Sequence, residues 1–231
     1  MKSAYTAYPT RLLYLPGGAE RLKKYGEAMS FPKDHVIIEP GILPSCCYLV
    51  KRGRVVAYEY TSRGGELLYN FMEEGALLLE ANLLTDVPAQ VYFKTTEPSE
   101  LIRIEKEVLL RAMEADSRLM RDIVGSISGK FFSAMDQIRQ EGSHNARWKI
   151  CNLLLIFAER HGVPYDGKTL IKERLSQQTL ANLLGMNRVT TTRIIRELKD
   201  LNLIELINGY YCIRDDEKLK LHVEFLSDCG E

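Results

Sequence analysis

Two periods divide the chain. From Phe31 to Ile104 apolar residues come in short runs separated by turn residues. "HVIIEPG" closes on a Pro-Gly turn, "CCYLVKRGRVVAYEY" breaks around Arg52-Gly53, and Gly64-Gly65 splits "TSRGGELLYNFM" into two strand-like runs. "EGALLLEANLL", "AQVYFKTTE" and "SELIRIE" continue the series. Short strands with regularly spaced turns predict a β-sandwich or small barrel. After about Lys106 the spacing becomes helical. Met120, Val124, Ile127, Phe131, Ala134 and Ile138 are spaced 4, 3, 4, 3, 4, a heptad seam of the kind that packs two helices along one stripe. Its flanks are polar, so the narrow stripe predicts contact with a second copy of the chain, the alternative being a helix packed on its own domain. "QEGSHN" breaks the helix at Gly142, and Ser143 or Asn145 is placed to cap the next one.

Beyond the break, "RWKICNLLLIFAERHG" predicts a helix ending near Gly162. "VPYDG" connects it to a strand-like "KTLIKE". Ser176 caps a helix over "QQTLANLLG" and Asn187 caps the next, "RVTTTRIIRELKDLN". "LIELINGYYCI" is a hairpin around Asn208-Gly209, the dipeptide suited to a type I′ turn. Helix, helix, recognition-type helix and β-wing make a winged helix-turn-helix. The expected class is α+β, with a β domain over 1–115, a dimerisation helix over 116–142 and the winged domain over 143–231.

With 231 residues, 45% hydrophobic and 27% charged, the composition is that of an ordinary globular protein. No apolar run approaches the roughly 20 residues of a membrane helix, and the N-terminus lacks the apolar core of a signal peptide, so a cytoplasmic, non-membrane protein is expected. The five cysteines form no CxxC pair. Free thiols are the simpler reading and a redox switch at Cys46 and Cys47 the sharper one. Net charge is zero, yet from Lys168 to Lys199 there are seven cations and two anions, +5. That local surface suits a phosphate backbone.

In a helix-turn-helix the second helix enters the major groove with its first residues on the base edges. Asn187 at the N-cap and Thr190 suit phosphate oxygens. Val189, Thr192 and Arg193 share a face by i, i+3, i+4 spacing with Arg188 nearby, while Ile194, Ile195 and Leu198 turn to the core.

"LSQQTLANLLGMNRVTTTRIIRELKDLNLIEL" resembles the helix-turn-helix of the Crp-Fnr family of bacterial transcription regulators, and the likeness extends over nearly the whole chain. It implies an effector-sensing β-roll (a double-stranded β-helix, or jelly-roll), a homodimer, double-stranded DNA as ligand and RNA polymerase as partner. It also implies phosphate contacts from Ser176, Gln177, Asn187 and Thr190, and base contacts from Arg188, Val189, Thr192 and Arg193. Many relatives carry glutamate where this chain has Val189. A carboxylate accepts from cytosine N4, whereas valine packs on a thymine methyl. An A·T-rich palindrome is therefore expected.

A cyclic-nucleotide site of this family needs a glycine-glutamate pair and an arginine on the phosphate. Glu80 remains here, but the glycine position is Leu79 and the arginine position is Gln90, so a cyclic nucleotide is not expected. No cysteine precedes Cys46 to hold an iron–sulfur cluster, His35 alone does not suggest haem, and no cofactor or metal is expected. Candidate effector contacts are Tyr69, Glu80, Gln90, Lys130, Ala134 and Met135, with Ala57 and Val91 lining the same cavity. Lys130 could reach a carboxylate or phenolate, which suits an unidentified small, anionic or phenolic molecule; the plainer alternatives are a snorkelling surface lysine and cavity residues that are simply core. The alternatives are a regulator without an effector and a cupin-like enzyme. The latter is poor in histidine ligands, and no enzyme is expected.

Overall fold

The computed structural model describes residues 18–61 and 65–228. Gly64, Cys229 and the N-terminal stretch read above for a signal peptide lie outside the described residues. Contact density divides the chain into two compact units, one ending at Ala134 and the other beginning at Met135.

The first unit starts with α1 (Gly18–Lys23), β1 (Glu27–Phe31), β2 (Val36–Ile38), β3 (Cys46–Arg52), β4 (Val55–Tyr60) and β5 (Glu66–Met72). It continues through β6 (Leu77–Leu78), α2 (Glu80–Thr85), β7 (Tyr92–Thr95), β8 (Ser99–Glu105), α3 (Lys106–Ala115) and the first part of α4 (Ser117–Ser143), whose residues from Met135 onward belong to the second unit. The strands form two four-stranded antiparallel sheets, ordered β1-β8-β3-β6 and β2-β7-β4-β5. Alternation along each strand assigns its residues to opposite faces. Val50, Leu78 and Leu101 meet Val55, Ala57 and Met72 between the sheets. Cys47, Leu49, Leu77, Ile102 and Ile104 turn the other way, against Leu22, Leu83, Leu109, Leu119 and Ile123 of the helices. The β3–β4 turn needs Gly53: its φ is 91°, and a Cβ there would lie 2.4 Å from Ser99 Oγ.

"EGALLLEANLL", expected as a strand, makes only the two residues of β6 before α2 begins. Gly142 does not end α4, which runs to Ser143. A single helical glycine costs only about 1 kcal/mol, and the real stop is Asn145, whose side chain accepts the Trp148 N–H as cap of the next helix.

The second unit holds α5 (Ala146–His161), β9 (Gly162–Tyr165), β10 (Lys168–Ile171), α6 (Gln177–Leu183), α7 (Arg188–Asp200), β11 (Ile204–Ile207), β12 (Tyr210–Ile213) and α8 (Asp216–Asp228). Its antiparallel sheet has the order β11-β12-β10-β9. "VPYDG", expected as a connector, supplies most of the strand β9. Pro164 is tolerated because β9 is an edge strand. Asn208 and Gly209 at φ 51° and 85° make the expected wing turn. Helix α8 was not anticipated. It buries Leu219, Val223 and Leu226 on one face, against α5.

Candidate nucleic-acid interface and sensor interior

Helices α6 and α7 are both started by side-chain caps. Ser176 Oγ accepts the Thr179 N–H at 2.9 Å, and Asn187 Oδ1 accepts the Thr190 N–H at 3.0 Å. Those oxygens are therefore engaged, and Asn187 keeps its amide NH₂ for an outside acceptor. Gly185, at φ 60°, turns the chain between the two helices. Thr191 is buried and donates to the Asn187 carbonyl at 3.2 Å. Ile194, Ile195 and Leu198 anchor the same inner face. The outer face presents Arg188, Val189, Thr192, Arg193 and Arg196 to solvent, with Thr190 half-buried at its border. Val189 is 76% exposed. A single exposed apolar side chain is ordinary on a protein surface; what distinguishes Val189 is its place among the arginines at the start of α7.

The two helices are also joined through polar groups. Thr192 Oγ1 lies 2.7 Å from Gln177 Oε1 and 2.8 Å from the Arg188 carbonyl, and its one proton serves one of them at a time. Arg193 donates to Glu197 Oε1 at 2.6 Å, and Arg147 of α5 donates to Glu197 Oε2 at 2.5 Å. The Arg147 hydrogen bond is the main reason the Glu197 carboxyl is held below its usual range, and Arg193 adds to it. The Arg193–Glu197 pair is legible as i, i+4 spacing, although Glu197 and Arg147 were not singled out in the sequence. Arg174 stacks over the Tyr210 ring beside the wing turn, at 5.3 Å.

The candidate effector residues do not form one set. Tyr69, Val91 and Phe93 pack against the intersheet cluster that contains Ala57, Leu79 and Ala89. Gln90 is exposed, as are Ala134 and Met135. Glu80 and Lys130 are brought together. Glu80 is fully buried, and Lys130 Nζ sits 2.5 and 2.6 Å from its two oxygens and 3.0 Å from the Leu77 carbonyl. Ser126 donates to the same carboxylate at 2.8 Å. The carboxylate expected within reach of Lys130 is thus the chain's own, and Ser126, absent from the sequence reading, is its third partner.

Leu79, directly before Glu80, has φ 66° and is 3% exposed. A left-handed conformation costs a leucine about 1–2 kcal/mol, and its burial in the intersheet cluster offsets that cost.

Helix α4 has two apolar faces. Leu119 and Ile123 are buried on the helical side of the first sheet, and Ile127 packs against that same cluster. Ile127 therefore departs from the expected seam: one turn beyond Ile123, it falls on the inner face. Met120, Val124, Phe131 and Ile138 are 43, 54, 59 and 65% exposed, and Phe132 and Met135 flank them. No helix among the described residues is long and apolar enough to cross a membrane, and they hold no His/Cys/Asp/Glu group suited to a metal. Cys46 and Cys47 are buried, and burial pushes the Cys47 thiol up, away from the reactive thiolate.

Comparison with known proteins places both units. Residues 28–116 match the cyclic nucleotide-binding domain family and residues 149–221 the Crp-like helix-turn-helix domain family. The global nitrogen regulator of Synechococcus elongatus is 22% identical over 178 residues, 76% of this chain and 80% of that protein. The c-di-GMP responsive global regulator CLP of Xanthomonas campestris superposes with a TM-score of 0.75 at 19% identity, over 86% of this chain and 99% of its own. CprK complexed with OCPA superposes with a TM-score of 0.73 at 17% identity, over 93% and 99%, and another CprK structure holds o-chlorophenolacetic acid. A cyclic nucleotide-binding-type domain followed by a Crp-like helix-turn-helix is the arrangement that defines the Crp-Fnr transcription regulators, and this chain belongs to that family.

Proposed function

We propose that the protein is a homodimeric, sequence-specific DNA-binding regulator that recognises an A·T-rich palindrome. The observation that carries this reading is the outer face of α7, where Val189 stands 76% exposed between arginines and the helix N-terminus is capped and open. Val189 Cγ methyls can pack on a thymine methyl, while a cytosine N4–H₂ facing them would lose water without gaining a partner. The exposed α4 stripe supports the dimer, which sets two half-sites about 34 Å apart. The test is selection of bound duplexes from a random pool at fixed salt. A palindrome with A·T at the pair facing Val189 is expected, and Val189→Glu should move that pair to G·C by roughly 1–3 kcal/mol. A strong G·C requirement in the unaltered protein would sink the reading.

The effector is a small molecule other than a cyclic nucleotide. Leu79 fills the glycine position, Gln90 brings no cation, and Lys130 is already neutralised by Glu80. The aromatic acid held by CprK supports the same chemical class here, with Lys130 the cation that its carboxylate would have to share with Glu80. A second reading, DNA binding without an effector, is favoured by the apolar packing of the intersheet space. A thermal-shift screen of aromatic acids and cyclic nucleotides separates the two, since only a ligand of the folded state raises the melting temperature.

A further inference from the structure

We infer that Glu197 is a specificity-determining positioning residue: it holds the Arg193 guanidinium back from indiscriminate phosphate contact and releases it only where a DNA site compensates. The inference rests on the DNA-binding reading of α7. Three groups carry it. Arg193 lies on the outer face of α7 with its side chain 63% exposed, and Glu197, one turn on, is 29% exposed. Arg147, from the first turn of α5, holds the other oxygen of the same carboxylate. A cleft of about 250 Å³ lies among Arg147, Arg193, Glu197, Ile194 and Leu226, so the arginine side chain has room to move.

An unrestrained arginine on a recognition helix would pair with phosphates of any sequence, since backbone contacts carry no sequence information. The bond to Glu197 sets a toll on every such contact. A site that offers Arg193 two acceptors in fork geometry repays the toll, and a lone phosphate oxygen repays less of it. The toll stays small because the pair is exposed. It is smaller still because Arg147 keeps its own hold on Glu197 when Arg193 departs, so the carboxylate is never left without a cation. An isolated Arg–Glu pair would lack that second hold, and a lone arginine would lack the toll.

The test is a double-mutant cycle on the full-length protein, using Glu197→Gln, Arg193→Ala and both together. Each is measured on the duplex recovered by selection with the unaltered protein and on a scrambled duplex of equal length, across a salt series. Glu197→Gln should tighten binding to the scrambled duplex about fivefold and to the selected one less than twofold, and should steepen the slope of log affinity against log salt by about 0.9, one phosphate contact. In the Arg193→Ala background the same change should have no effect on the ratio of the two affinities. A merely structural Glu197 would move the melting temperature and leave the ratio alone, so an unchanged ratio overturns the inference. An equal gain with and without Arg193 also overturns it, by reducing the effect to the loss of a negative charge near DNA. If Glu197→Gln does not fold, Arg147→Met supplies the second measurement. Arg193 would then be the sole partner of Glu197, and affinity for the selected duplex should fall about threefold; unchanged or tighter binding overturns the inference. Failure of the unaltered protein to enrich any sequence would remove the DNA reading itself, whereas enrichment with an unmoved ratio removes only the role of Glu197.

Discussion

The recognition helix and the sheet interior answer the same question in opposite ways. On α7 the polar and charged groups stand outward, uncovered, with one exposed valine among them. Between the sheets the space is packed with Ala57, Leu79, Tyr69, Val91 and their neighbours, and beside it, against α4, the buried Glu80 carboxylate already has its cation. The first surface is complete without its ligand. The second is filled by its own side chains, and the charge beside it is already paired. A preformed interface and a closed interior within one chain are what a regulator needs if DNA contact is constant in chemistry and control is exerted elsewhere.

Perturbing the interior should have the largest effect. Lys130→Met strands Glu80, fully buried, with only Ser126 as a partner, and breaking a buried pair from one side costs about 3–5 kcal/mol. Urea unfolding should register that loss, and adding Glu80→Gln should recover most of it. If Lys130→Met alone leaves stability unchanged, the interior is not closed by this pair. Next comes the outer stripe of α4. Phe131→Glu with Ile138→Glu places charge on exposed positions only, so the protomer should fold normally. It should sediment as a monomer at micromolar concentration and lose about 100-fold in operator affinity, about 2.7 kcal/mol. A dimer that survives both changes would reassign the stripe.

The smallest effect belongs to the winged domain. His222 of α8 has a buried, unpartnered Nε2, and burial, with Arg147 adding to it, holds its pKa below the ordinary 6.5. The folded state therefore resists the proton that the unfolded chain accepts. Stability is full above about pH 6.5 and is lost as pH falls from there through the folded value. A melting temperature that drifts down by a few degrees in this window, and a flatter profile in His222→Gln, are expected. An identical pH profile in the two proteins would show that His222 plays no part.

Much of the winged domain was legible because its rules are local. Ser176, Asn145 and Asn187 cap helices at the positions their short side chains suggest, and helical spacing alone sorts Val189 and Arg193 from Ile194 and Leu198. The interior was less so. No propensity places a leucine at φ 66°, and Glu80 and Lys130 are 50 positions apart, so only tertiary packing joins them. Pro164 concealed β9 because proline argues against a strand unless its edge position is known. The heptad seam was read as one face, when burial divides its members between two: Ile127 faces the chain's own core and Phe131 faces out. Helix α8 carries Leu219, Val223 and Leu226 at helical spacing, a signal that the sequence itself contains beyond the hairpin.

The uncovered stripe on α4 has a consequence for gene dosage. If Met120, Val124, Phe131 and Ile138 are covered only by a second copy, the operator-competent species is a dimer whose abundance follows mass action. Below the dissociation constant of that dimer, doubling the protomer raises the dimer about fourfold. Promoter occupancy then responds to the square of expression. The cell's rate of making this protein becomes an input to its output, alongside any small molecule the sheet interior admits.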